Sequence, residues 1–170
     1  MAMKELFEIA GGSVTGRNHL LVGRNNQDSY YFHQGRELTI GVVCDGCGSC
    51  LHSEVGAQLG ARLVGGIIAQ QWRQCQALDL QVIKDNILDR LGKFAQSLAF
   101  SQSLEQIIND YFLFTLLAII ITPEITIMVA IGDGVIGVNG EITCLGPFPD
   151  NAPPYLAYGL LGDFNLISWS

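Results

Sequence analysis

Apolar residues along this chain of 170 residues follow two spacings, one typical of strands and one typical of helices. Two short apolar runs, SYYFH and LTIGVVCDG, are separated by the polar turn QGRE, which predicts a β-hairpin. The earlier run FEIAGGSVTG is also predicted to be a strand, with a glycine-rich irregularity. After residue 110 the chain returns to strands, predicted at 112–121, 126–131, 135–138 and 141–145. The dipeptide NG between the last two is a strong signal for a tight hairpin turn.

Between these two groups of strands, apolar residues recur every three to four positions, as on one face of a helix. A first helix is predicted to begin near Ser53, whose hydroxyl suits an N-cap. Small residues give this helix a smooth face that can lie close to a sheet: Gly56, Ala57, Gly60 and Ala61. A second helix is predicted from about Asp79 to Leu98, and a third from near Ser103. Helices inserted between hairpin-linked strands predict an α+β domain with antiparallel sheets.

The composition indicates a compact chain with an acidic balance. Hydrophobic residues make up 49% of it and charged residues 15%, and the formal net charge is -7. Nucleic acids and anionic membranes both require clustered Lys and Arg, so neither is expected as a partner. The most apolar run, residues 111–121, is shorter than the roughly 20 residues that cross a membrane. No signal peptide is visible, and the odd number of cysteines indicates reduced thiols in a cytoplasmic protein.

The segment VVCDGCGSC has two interpretations. In the first, three cysteines have the C-x2-C-x2-C spacing of thiolate ligands for an iron–sulfur cluster or zinc: Cys44, Cys47 and Cys50. A cluster would need a fourth cysteine at Glu54, and zinc would need a second pair, which neither Cys75 nor Cys144 supplies. We therefore expect these thiols to be structural, with the thiolate metal site left open as an alternative.

In the second interpretation the chemistry lies with carboxylates at the ends of apolar strands. Asp45 follows such a strand and precedes Gly46, Asp28 comes just before the strand predicted to pair with it, and Asp133 lies between two glycines after a later strand. If these strand ends lie together, the carboxylates repel one another and their pKa values rise. A cluster of this kind implies a bound hard cation with oxygen ligands.

These residues resemble the motifs of the metal-dependent type 2C protein phosphatases, in their bacterial branch. Four segments match in order and spacing: residues 16–19 (GRNH), 23–28 (GRNNQD), 45–49 with the helix at 53–57, and 132–134. The agreement runs from about residue 8 to residue 146. The resemblance implies an antiparallel two-sheet β-sandwich flanked by helices. It also implies hydrolysis of phosphoserine or phosphothreonine in a phosphorylated protein substrate, a signalling function, by a metal-activated water.

The same resemblance assigns roles to individual residues. Asp45 is expected to bridge two Mn²⁺ or Mg²⁺ ions, the carbonyl of Gly46 to bind one of them, and Asp28 to assist, partly through water. Asp133 is expected beside the site, near a third and weaker ion. Oxygen ligands favour these metals over zinc. Arg24 and, further upstream, Arg17 are rival candidates for binding the phosphate.

Other positions depart from the family pattern. Some members have a proton-donating histidine where this chain has Cys47, and His19 is expected to be structural. The family normally continues with two more metal-binding aspartates, whereas Asp150 and Asp163 lie in no matching motif here. We therefore expect residues 1–170 to form a single phosphatase-like domain that lacks its C-terminal portion. Two consequences remain open: a catalytically inactive binding or regulatory module, and self-association through an incomplete sheet.

Overall fold

The computed structural model describes residues 5–162. Within that range the chain forms helices and strands in the following order: α1 (Arg17–Leu21), β1 (Ser29–Gln34), β2 (Thr39–Cys44), α2 (Ser53–Cys75), α3 (Leu80–Leu98), α4 (Leu104–Tyr111), β3 (Leu116–Ile121), β4 (Thr126–Ile131), β5 (Gly134–Val138) and β6 (Glu141–Leu145). Two short 3₁₀ helices follow, at Pro149–Asn151 and Leu156–Leu161. None of the helices in the described range has the length and apolarity that crossing a membrane requires.

Four strands form the main sheet, in the order β1-β2-β3-β4, and every neighbouring pair is antiparallel. Ser29 pairs with Cys44, and Leu116 pairs with Ile131. The beginnings of β1 and β3 therefore lie at the same edge of the sheet as the ends of β2 and β4. The loops leaving that edge carry the three aspartates singled out in the sequence.

One face of the main sheet is buried by helices. Alternate residues of its two central strands point into this core: Ile40, Val42, Cys44, Leu116, Ala118 and Ile120. Helix α2 packs against β1 and β2 and also contacts α3 and α4. Its small residues lie close to their neighbours, as predicted, since a Cβ at Gly60 would come 2.6 Å from a ring carbon of Phe114.

The opposite face of the sheet is apolar and only partly covered. Tyr30, Phe32 and Val43 remain exposed on it. Residues 9–11 and strand β5, which forms a two-stranded sheet with β6, line a groove over this face. Helices beside two antiparallel sheets confirm the predicted α+β class, although the second sheet is a single hairpin within the described residues. Self-association through this face stays a prediction.

Several predictions of local structure need correction. The run FEIAGGSVTG forms no strand, and α1, which follows it, was not predicted. Ser53 does not cap α2; the N-cap is His52, and the Ser53 side chain is buried. Strand β3 begins at residue 116, later than predicted, because Phe112 is the C-cap of α4 and Phe114 forms only an isolated bridge with Gly46. The next two helices begin close to the predicted residues, where Asp79 accepts hydrogen bonds from two backbone N–H groups and Ser103 forms a capping box.

Candidate functional site

Three carboxylates gather at the edge of the main sheet where β1 begins and β2 and β4 end. Asp28 and Asp45 are exposed, and Asp133 is half-buried. The pKa of Asp45 is raised from 3.8 to about 6, first by desolvation, then by a hydrogen bond and charge repulsion from Asp28, and finally by the charge of Asp133. The structure thus brings together all three aspartates named from the sequence. Their repulsion is the kind of stress that a bound cation relieves.

The loop that carries Asp45 is fixed by the backbone on both of its sides. The carbonyl of Asp45 accepts from the N–H of Thr115 at 2.8 Å, and the N–H of Cys47 donates to the carbonyl of Leu113 at 2.9 Å. On the other side, the N–H of Gly46 donates to the carbonyl of Gln27 at 3.2 Å. The segment before β3 and the segment before β1 therefore both hold this loop in place.

Two buried side chains beneath the loop were missed by the sequence analysis. Gln27 is 4% exposed and Ser53 is fully buried. The Gln27 amide donates to the Cys47 carbonyl at 3.1 Å and to the Ser53 hydroxyl at 2.6 Å, and that hydroxyl donates to the same carbonyl at 2.9 Å. A side chain at Gly46 would come 2.6 Å from the Gln27 carbonyl oxygen, which explains the glycine. Gln27 lies in the matching segment 23–28, but the sequence assigned it no role, because its partners Cys47 and Ser53 are distant in the chain.

The two candidate arginines have different surroundings. Arg24 is exposed, and its guanidinium donates to the carbonyl of Gly48 at 2.8 Å and to the carbonyl of Cys50 at 3.4 Å. Arg24 therefore stabilises the loop after Asp45 through these two bonds. The other N–H groups of its guanidinium take no part in them. Arg17 is exposed on α1, a helix with no buried residue. His19 takes part in this region through its carbonyl, which accepts from the N–H of Arg24 at 2.9 Å.

The cysteines after β2 differ in burial and in chemistry. Cys44 is fully buried in the core, and this burial raises the pKa of its thiol. Cys47 and Cys50 are half-buried and interact with each other. Partial burial would raise the pKa of Cys47, but hydrogen bonds from Cys50, Ser49 and Tyr155 outweigh it and lower that pKa to about 7. Burial and then the neighbouring Cys47 raise the pKa of Cys50 to about 12.

The oxygen atoms at this edge are of the type that a hard cation binds, but their number only partly meets what such a cation requires. Carboxylate and carbonyl oxygens from Asp28, Asp45 and Gly46 are the ligands that Mg²⁺ and Mn²⁺ prefer. Within residues 5–162, however, no group of three or more His, Cys, Asp or Glu side chains is arranged to hold a metal ion. That finding also leaves the thiolate metal site without support in the described part of the chain.

The sequence profile of the protein phosphatase 2C family matches residues 15–151. No curated protein sequence matches the chain. Among solved structures, the Mycobacterium tuberculosis serine/threonine phosphatase PstP/Ppp is 21% identical, with a TM-score of 0.44, over 72% of this chain and 48% of that one. The S. agalactiae serine/threonine phosphatase is also 21% identical, with a TM-score of 0.41, over 72% of this chain and 49% of that one. A bacterial serine phosphatase is 14% identical, with a TM-score of 0.44, over 86% and 62%. The chain thus spans about half the length of the first two.

Proposed function

The chain belongs to the protein phosphatase 2C family, and from this premise we propose that it is a metal-dependent phosphatase of phosphoserine and phosphothreonine in proteins. The observation that carries the proposal is the cluster of Asp28, Asp45 and Asp133, in which desolvation, a hydrogen bond from Asp28 and charge repulsion together raise the pKa of Asp45 to about 6. The family is metal-dependent in general, and a divalent cation at this edge would offset that repulsion.

Each residue of the site then has a separate task. Asp45, with Asp28 and the carbonyl of Gly46, would hold Mn²⁺ or Mg²⁺, and Asp133 would lie beside them. When bound, the metal activates water and neutralises charge on the phosphoryl group. Arg24 orients the phosphate with the N–H groups that do not hold the loop, and Arg17 is the alternative for this task. Residues 1–170 act together as a single phosphatase-like domain.

A second candidate function is a phosphoprotein-binding module without turnover. It is favoured by the finding that, in the described range, no three side chains of metal-ligating type form a site. Such a module would still recognise the phosphate of its partner.

Phosphate release from a phosphothreonine peptide during a Mn²⁺ titration tests the proposal. Asp45→Asn keeps the shape of the side chain and removes its charge, so we expect it to lower activity on the order of 100-fold or more. Asp89→Asn is the matched control, since Asp89 lies on α3 in an exposed ion pair with Lys93. It should leave the rate unchanged.

Two results would contradict the proposal or its assignment of Asp45. Absence of phosphate release from folded protein at millimolar Mn²⁺, with retained binding of the phosphopeptide, would favour the binding module. Equal activity in the chain with Asp45→Asn and in the unsubstituted chain would remove Asp45 from the site altogether.

A further inference from the structure

Residues 47–50, with the sequence CGSC, form a tight turn directly after the acidic cluster. The N–H of Cys50 donates to the carbonyl of Cys47 at 3.1 Å, which is the i to i+3 hydrogen bond of a β-turn. Such a turn keeps its first and last Cα atoms within about 7 Å, close to the range of about 4.4–6.8 Å that disulfides span. The backbone thus brings two cysteines into the separation that a disulfide requires.

The surroundings of this turn favour a bond between its two thiols. Both cysteines are reduced, half-buried and in mutual contact. The backbone of Cys47 is held by Leu113, Gln27 and Ser53, so its position does not depend on the state of its sulfur. Closing the bond therefore requires side-chain rotation within a preformed turn.

We propose that Cys47 and Cys50 form a reversible disulfide, which makes residues 47–50 a redox modification site beside Asp45. The oxidant is a low-molecular-weight disulfide such as oxidised glutathione. One cysteine sulfur attacks it as a thiolate, forms a mixed disulfide and releases one glutathione thiolate. The second cysteine loses its proton to solvent and attacks the mixed disulfide, which releases the second glutathione. Two protein thiols are oxidised, and one glutathione disulfide is reduced to two thiols.

The other cysteines do not compete for this bond. Cys44 is fully buried in the core, so a disulfide reagent does not reach it in the folded protein. Cys75 and Cys144 are exposed, one at the end of α2 and the other on β6. They can take up glutathione, but neither lies in the turn.

Mass spectrometry of the folded chain after treatment with oxidised glutathione tests the proposal without any measurement of activity. Trypsin cleaves after Arg36 and Arg62, so one peptide, residues 37–62, contains all three cysteines of the segment. After denaturation and alkylation we expect this peptide to carry one alkyl group, on Cys44, and to have lost two hydrogens through a bond between the other two. Dithiothreitol should restore three alkylated thiols.

Cys50→Ser is the matched variant. It should stop the reaction at the mixed disulfide, leaving glutathione on Cys47, whereas Cys75→Ser should leave the peptide's behaviour unchanged. The central result comes from the unsubstituted chain, so it does not depend on the folding of a variant. Three alkylated thiols after oxidation, glutathione retained while Cys50 is present, or a bond to Cys44 would each overturn the proposal.

Discussion

Helix α2 provides a sharp test of how closely this fold is packed, because it contains glycines with opposite surroundings. A Cβ at Gly56 would overlap the carbonyl oxygen of Tyr111 and come 3.0 Å from the Cα of Phe112. Both are backbone atoms, so no side-chain rotation can relieve the contact. Overpacking a core typically costs about 1–3 kcal/mol, and alanine regains at most about 1 kcal/mol as the better helix former. For Gly56→Ala we expect a net loss of about 2 kcal/mol, from the upper part of that range.

Gly66→Ala is the matched control on the same helix. Gly66 is exposed, and a Cβ there would meet no atom within 4 Å. The helix-forming advantage of alanine then acts alone and should stabilise the protein by about 0.5–1 kcal/mol.

Thermal unfolding followed by circular dichroism compares the two variants. For a domain of this size, Gly56→Ala should lower Tm by about 4–8 °C, and Gly66→Ala should raise it by about 1–4 °C. The opposite signs of the two shifts are the important outcome. If Gly56→Ala were as stable as the unsubstituted chain, α2 would not lie against the C-terminal end of α4 as described.

Two further predictions concern charge and capping. In metal-free protein, the pKa of Asp45 rises from 3.8 in the unfolded chain to about 6 in the folded chain. Between these pH values the folded chain keeps a proton on Asp45 that the unfolded chain has lost. The free energy of unfolding therefore falls as pH rises through that window. Asp45→Asn should make the free energy of unfolding less dependent on pH in this window and should stabilise the protein at neutral pH. Urea unfolding in EDTA across this range measures both effects. An unchanged slope of the free energy of unfolding against pH would refute the prediction. Ser103→Ala should lower Tm by about 2–4 °C, because it removes the acceptor for the N–H of Gln106 at 3.1 Å. Ser101→Ala, just before this cap, should leave Tm unchanged in the same melt.

The sequence predicts those parts of the fold that depend on local contacts, and fails for those that depend on contacts with distant residues. Strands β4 and β6 begin and end at the predicted residues, because local turn chemistry marks them: a Pro-containing turn before β4 and an Asn-Gly turn before β6. The predicted first strand is absent, although a backbone carbonyl in it, that of Phe7, accepts from the Gln34 amide at 2.9 Å. A strand needs a partner edge, and no local pattern in the sequence reveals whether one is available.

The side chain of Ser53 shows the same limit at the site. Its type and position predict an N-cap, yet its hydroxyl bonds to the Cys47 carbonyl and to Gln27. A tertiary contact has taken the place of a local one. The three aspartates were predictable because Asp45 and Asp133 follow apolar strands and Asp28 precedes one, and antiparallel pairing carries those strand ends to one edge. The hydrogen bonds of Gln27 and Ser53 beneath the Asp45 loop were not predictable, since they join residues far apart in the chain.

The contacts that fix Asp45 all come from one part of the fold. Its loop is held by Gln27, Ser53, Leu113 and Thr115, which lie just before β1, at the start of α2 and before β3. None of these contacts involves the β5–β6 hairpin, which follows Asp133 directly. The position of Asp45 relative to Asp28 is therefore set by the helix-covered main sheet. Asp133 comes just after β4, so the same sheet brings it to the cluster.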